Sequence, residues 1–181
     1  MKPPVFIILI FFSFISCEDN SGDTTSPEGL LEQYNNFKKD ITSSNSSAII
    51  TLERTACYGT CPIYSLSIYK NGKTKYFGLE YVQQTGLHQS SISKSDLNYL
   101  LSFAHDNEYG NLQDEYRTII DTADDGTPIK LTVSDLPTKI TSLLINGDRK
   151  IVENYFGGPD WLSSFEKKID SIADVRKWVG K

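Results

Sequence analysis

The chain has 181 residues and a formal net charge of −5, with 18 Lys and Arg against 23 Asp and Glu. That length suits one ordinary domain with a tail and is enough to bury a core without staples. Nucleic acid is excluded as a partner, because its phosphates need clustered cations; the two histidines have no Cys, His or carboxylate at ligand spacing, so no metal or cofactor is expected.

Met1-Lys2 leads into an apolar run from Val5 to Phe14, and Phe14-Ile15-Ser16-Cys17 resembles the cleavage box of bacterial lipoproteins, with Phe14 where Leu is usual. The run matches a secretory signal in layout and is too short to cross a bilayer as a helix, which takes about 20 apolar residues. Residues 1–16 are expected to be a signal peptide, Cys17 the lipidated first residue after cleavage, and residues 17–27 a flexible tether without a large apolar side chain. The resemblance implies an outer-membrane lipoprotein, held to the membrane by its N-terminal lipid and facing the periplasm or the cell surface. Glu18-Asp19 resembles the acidic export signal of Bacteroidota lipoproteins and favours the surface.

Residues 28–47 are read as a helix and a polar linker: Ser26 can cap, Pro27 can open the first turn, and Leu30, Leu31, Tyr34, Phe37 and Ile41 share one side. The domain proper is placed at 48–181. Ala48–Arg54 reads as a strand, and so does Ile63–Tyr69 by its alternation. Asn71-Gly72 signals a hairpin with a type I′ turn. That register sets Leu66 against Phe77 and Tyr64 against Leu79, and places Lys75 opposite Ile68 as the one polar intrusion.

Ser93 and Asp96 cap a helix to His105, with Leu97, Leu100, Leu101 and Ala104 on one stripe. Residues 106–118 read as an irregular connection, Ile129–Val133 as a strand, and 140–145 with 150–156 as a second hairpin. Its turn is Asn146-Gly147 or Gly147-Asp148, and the two choices swap the buried face. Gly157-Gly158 ends the strand, Pro159 opens a last helix, and Leu162, Phe165, Ile169, Ile172 and Ala173 form its apolar stripe. The expected fold is α+β: an antiparallel sheet built from two hairpins and flanking strands, packed on one face by two helices.

Cys57 and Cys61, the cysteines left after Cys17, bracket Tyr58-Gly59-Thr60 in a tight link between strands. Outside the cytoplasm a structural disulfide is expected, contributing about 2 kcal/mol through so short a loop. The alternative is a thiol-disulfide redox pair, which needs a helix N-terminus or a nearby cation to hold a thiolate. Asp121, Asp124, Asp125 and Gly126 lack two ligands of a calcium loop and read as a solvated turn. Asp23-Thr24-Thr25 and Asp121-Thr122-Ala123 resemble Bacteroidota O-glycosylation sites. No nucleophile elbow, zinc helix or phosphate loop occurs, so no catalytic residue is assigned and an enzyme is not the favoured reading. Tyr69 and Tyr76 are expected on the face opposite Leu66, either as a solvent-facing interaction surface for a protein or glycan or as cover for the second sheet face.

Cys57-x-Gly59-x-Cys61-Pro62-x-Tyr64, the Asn71-Gly72 turn, Asp135-Leu136-Pro137-Thr138 and the Asp170–Ala173 helix end resemble the domain of unknown function 6438 family over roughly residues 49–178. The family is one of bacterial, often Bacteroidota, lipoproteins without an established activity, so the resemblance implies a fold and a location but no catalytic residues. The sequence reading is a lipid-anchored binding or interaction module of the cell envelope. A redox protein using Cys57 and Cys61, or an inhibitor of an envelope hydrolase, is the alternative.

Overall fold

The computed structural model describes residues 26–180, so the expected signal peptide, Cys17 and the expected tether as far as residue 25 lie outside the described residues, while Ser26 and Pro27 belong to the start of a helix. Helix α1 (Pro27–Thr42) starts at Ser26, whose Oγ accepts from the Gly29 amide at 3.1 Å. Strands β1 (Ala48–Arg54), β2 (Ile63–Tyr69), β3 (Lys73–Glu80) and β4 (Gly86–Ser91) form an antiparallel meander. Helix α2 (Lys94–Asp106) follows, capped by Ser93 Oγ on the Asp96 amide. A 3-10 turn at Tyr109–Asn111 and the two-residue β5 (Glu115–Tyr116) lie in the stretch expected to be irregular.

Strands β6 (Ile119–Thr122) and β7 (Pro128–Leu131) make a separate two-stranded ribbon, and β8 (Lys139–Ile145) with β9 (Asp148–Asn154) makes the second hairpin. Helix α3 (Asp160–Ile172) and the short α4 (Arg176–Val179) end the described chain. The main sheet has seven strands in the order β4-β3-β2-β1-β8-β9-β5, antiparallel except for the β5–β9 pair. The fold is α+β as expected.

The two hairpins resolve their turns differently. At the first, only Gly72 has positive φ (+79°), and its amide donates to the Tyr69 carbonyl at 2.9 Å. That is a three-residue loop with a left-handed last residue, not a type I′ turn. The extra residue shifts the register by one, pairing Leu66 with Tyr76, Ser65 with Phe77 and Ile68 with Thr74. Because the side-chain period is two, the shift turns β3 over from Thr74 to Gly78, and a bulge restores the expected offset at Glu80, opposite Ile63. Lys75 leaves the core side for a place opposite Ser67. At the second hairpin Ile145 pairs with Asp148, and Asn146 (φ +53°) and Gly147 (φ +96°) make the two-residue type I′ turn.

Helices α2 and α3 pack together on one face of the sheet, over a core that includes Ile50, Leu52, Leu66, Leu100, Phe165 and Ile169. Helix α1 covers part of the other face, burying Tyr34, Phe37 and Ile41 against Ile63 and Phe77. The Tyr34 and Phe37 rings both lie 5.7 Å from that of Phe77. Each of those side chains contributes about 1.5–3 kcal/mol by leaving water, which compensates for the Gly29 and the Asn35-Asn36 pair that weaken the helix.

Candidate functional site

Strand β2 runs between two concave surfaces at opposite ends of the sheet. At its start, the eight residues joining β1 to β2 carry the two cysteines, and Cys57 and Cys61 are joined as a disulfide with Cα atoms 5.7 Å apart. The bridge pinches the loop, and the Gly59 amide donates to the Cys57 carbonyl at 2.9 Å. Tyr58 stands at the loop tip, 89% exposed. The flanking residues are a cross-strand pair, Arg54 opposite Tyr64.

Both reach Asp170 on α3. The Arg54 guanidinium donates to Asp170 Oδ2 at 2.5 Å, and the Tyr64 hydroxyl donates to Oδ1 at 2.7 Å. Burial pushes the Asp170 carboxyl above its ordinary value, while the Arg54 charge and the Tyr64 hydrogen bond pull it back. The Tyr64 phenol is raised by burial first and by the Asp170 charge second, so it stays protonated and serves as donor.

One turn earlier on α3, Glu166 is 1% exposed. The Asn154 amide donates to its Oε1 at 2.8 Å, and Lys139 Nζ lies 3.8 Å from Oε2. Burial pushes this carboxyl up to about 7, against the opposing pull of Asn154 and Lys139. Neither carboxylate was singled out from the sequence. The signal was present: Glu166 and Asp170 sit four and eight residues after Leu162, on the apolar stripe of the helix, where a charge needs a partner.

Beside this cluster opens a cleft of about 570 Å³, lined by Tyr64, Lys167, Asp170, Ser171, Asp174 and Arg176 among others. It lies within the usual size range of ligand sites. The cysteines do not line it, and neither sits at a helix start. Arg54, the cation nearest to them in sequence, is held by Asp170.

At the other end of β2, the expected tyrosine pair is split. Tyr76 is 0% exposed and stacks on Trp178 with ring centroids 4.8 Å apart, so it belongs to the core and not to an interaction surface. The one-residue register shift is the reason. Tyr69 stays half-buried, on the face that α1 leaves uncovered near the turn, and lines a pocket of about 280 Å³ with Lys70, Asn71, Lys73, Lys75 and Gln89. The acidic cluster Asp121, Asp124 and Asp125 sits at the tip of the β6–β7 ribbon, where Asp125 accepts from the Thr127 amide at 2.9 Å.

Among known proteins, a model of the family described as Domain of unknown function (DUF6438) matches residues 48–173. Comparisons with curated proteins and with solved structures return no match.

Proposed function

The chain belongs to the DUF6438 family, and we propose that it is a lipid-anchored binding module of the outer membrane, tethered through Cys17 and recognising its ligand in the cleft beside Asp170. The observation that carries the site is convergence. Tyr64 of the cysteine motif meets Asp170 of the last helix, and Thr138 donates its amide to Thr55 Oγ1, next to the cysteine loop, at 2.9 Å. Three of the four segments that mark the family resemblance thus gather at one end of the sheet, although up to 106 residues separate their contacts. The fourth, Asn71-Gly72, lies at the far end, where the hairpin needs it.

The cleft presents Lys167 and Arg176 together with Asp174, beside the Arg54-paired Asp170, a lining suited to a ligand that carries both charges, such as a short peptide end. The anchor reading rests on the lipobox resemblance of residues 14–17.

Two measurements test this reading. Metabolic labelling with a tagged fatty acid should mark the wild type and not Cys17→Ala; an unlabelled wild type ends the anchor reading. Titration of the full chain in detergent with a panel of dipeptides should show saturable binding that Ser171→Trp, which fills the cleft from an exposed position, reduces at least tenfold. Equal binding by the variant would move the site elsewhere.

A further inference from the structure

We infer that the pocket at the β2–β3 turn is a second binding site, for an acidic saccharide. It sits at the opposite end of β2 from the cleft and does not depend on it. The chain is acidic overall, yet this pocket gathers Lys70, Lys73 and Lys75 with no carboxylate in its lining. Among the described residues none of the three lysines makes an ion pair. Three ammonium groups without a carboxylate partner around one concavity produce a local positive potential that favours an anion.

The remaining lining is specific to a sugar ring. Lys75 Nζ stands over the half-buried Tyr69 ring, 5.4 Å from its centroid, which holds the ammonium inside the pocket. The ammonium held over that ring meets an acidic substituent, and the ring edge left open to the pocket packs against the apolar C–H groups of a pyranose. Asn71 and Gln89 supply amides suited to hydroxyls. Asn71 Oδ1 is occupied by the Lys73 amide at 3.1 Å, which orients the side chain and leaves its Nδ2 as a donor. The volume of about 280 Å³ lies at the small end of ligand sites, which suits one or two rings.

The frame is rigid. The Gly72 carbonyl accepts from Ile92 at 2.9 Å and the Gly72 amide donates to Tyr69, so the turn that carries the lysines is fixed on both sides and little ordering accompanies binding. A flat bilayer surface does not enter a concavity of this kind. An acidic peptide in extended form would pair with a sheet edge, whereas this pocket lies on a sheet face.

The test uses the purified full chain in neutral detergent, titrated with a galacturonic acid trisaccharide, galactose 6-phosphate, a neutral galactose trisaccharide, inorganic phosphate and phosphatidylglycerol vesicles. The two acidic sugars should bind at least tenfold more tightly than the neutral one, and the tighter of the two identifies carboxylate or phosphate as the recognised group. Raising the salt should weaken both. Tyr69→Ala and Lys73→Gln/Lys75→Gln should each reduce binding at least tenfold, Tyr69→Phe should keep it, and Ser171→Trp should not change it. Melting curves check that each variant is folded. The proposal fails if no acidic sugar binds at 10 mM, if inorganic phosphate or vesicles bind as well as the sugars, if the neutral sugar binds equally, or if Ser171→Trp abolishes binding.

Discussion

The Tyr64 hydroxyl donates to Asp170 Oδ1 at 2.7 Å across 106 residues of sequence, and the same carboxylate takes Arg54 on its other oxygen. One acidic side chain of α3 therefore ties the last helix to both strands that flank the disulfide loop. Because the pair is only partly open to solvent, removing one member strands the other.

Arg54→Ala should destabilise the domain by about 2–3 kcal/mol, at the low end for a buried pair because some solvent reaches it. An Arg54→Met/Asp170→Leu double variant should recover part of that loss. Urea unfolding of the wild type, Arg54→Ala and the double variant decides it; a double variant less stable than Arg54→Ala would contradict the buried-pair account.

Glu166 gives stability a pH dependence of defined sign. Its carboxyl titrates at 4.5 when unfolded and at about 7 when folded. Below pH 4.5 both states hold the proton. Between 4.5 and 7 the unfolded chain releases a proton that the folded chain keeps, so stability falls as pH rises; above 7 the loss is complete. The span corresponds to ~3 kcal/mol. Glu166→Gln should flatten this slope and be more stable than wild type at pH 8, as measured by denaturant midpoints at pH 5 and 8.

Tyr69 and Tyr76 should respond unequally to substitution. Tyr76→Ala removes a fully buried ring and should cost about 3–5 kcal/mol, while Tyr76→Phe should cost under ~1 kcal/mol, since the hydroxyl has no partner among the described residues. Tyr69→Ala should lower the melting temperature far less, because its ring is only half-buried.

The two turn glycines should also separate. A Cβ on Gly72 would stand 2.6 Å from the Ile92 carbonyl oxygen, whereas one on Gly147 would meet nothing within 4 Å. Both hold positive φ, which costs an L residue about 1–2 kcal/mol. Gly147→Ala should show that cost alone, and Gly72→Ala clearly more, because backbone must move. Equal losses in thermal unfolding would mean that the β2–β3 turn is looser than its hydrogen bonds indicate.

Local pattern carried much of the architecture. The α2 cap at Ser93, the α3 stripe and the strand alternation of β2 are all readable from spacing, because one covered face imposes a period on the residues that make it. The disulfide was readable for a similar reason, since two cysteines four apart across a strand connection have little freedom. Strands β4 and β6 were not, as their polar or exposed side chains carry no period. The Asn71-Gly72 pair misled because the same dipeptide fits two loops: the docking of Gly72 on Ile92 selects the three-residue one.

Fold class, cysteine pairing and helix faces follow from neighbours a few residues apart, and so are legible along the chain. The register of β3 is set instead by contacts distant in sequence, and with it that Tyr76 is core while Tyr69 shares a pocket with three lysines. Such contacts also bring Asp170 to Arg54 and Tyr64. A carboxylate on an apolar stripe announces that it needs a partner, but the partner is chosen by the crossing of a helix over a sheet, and no spacing along the chain encodes that crossing.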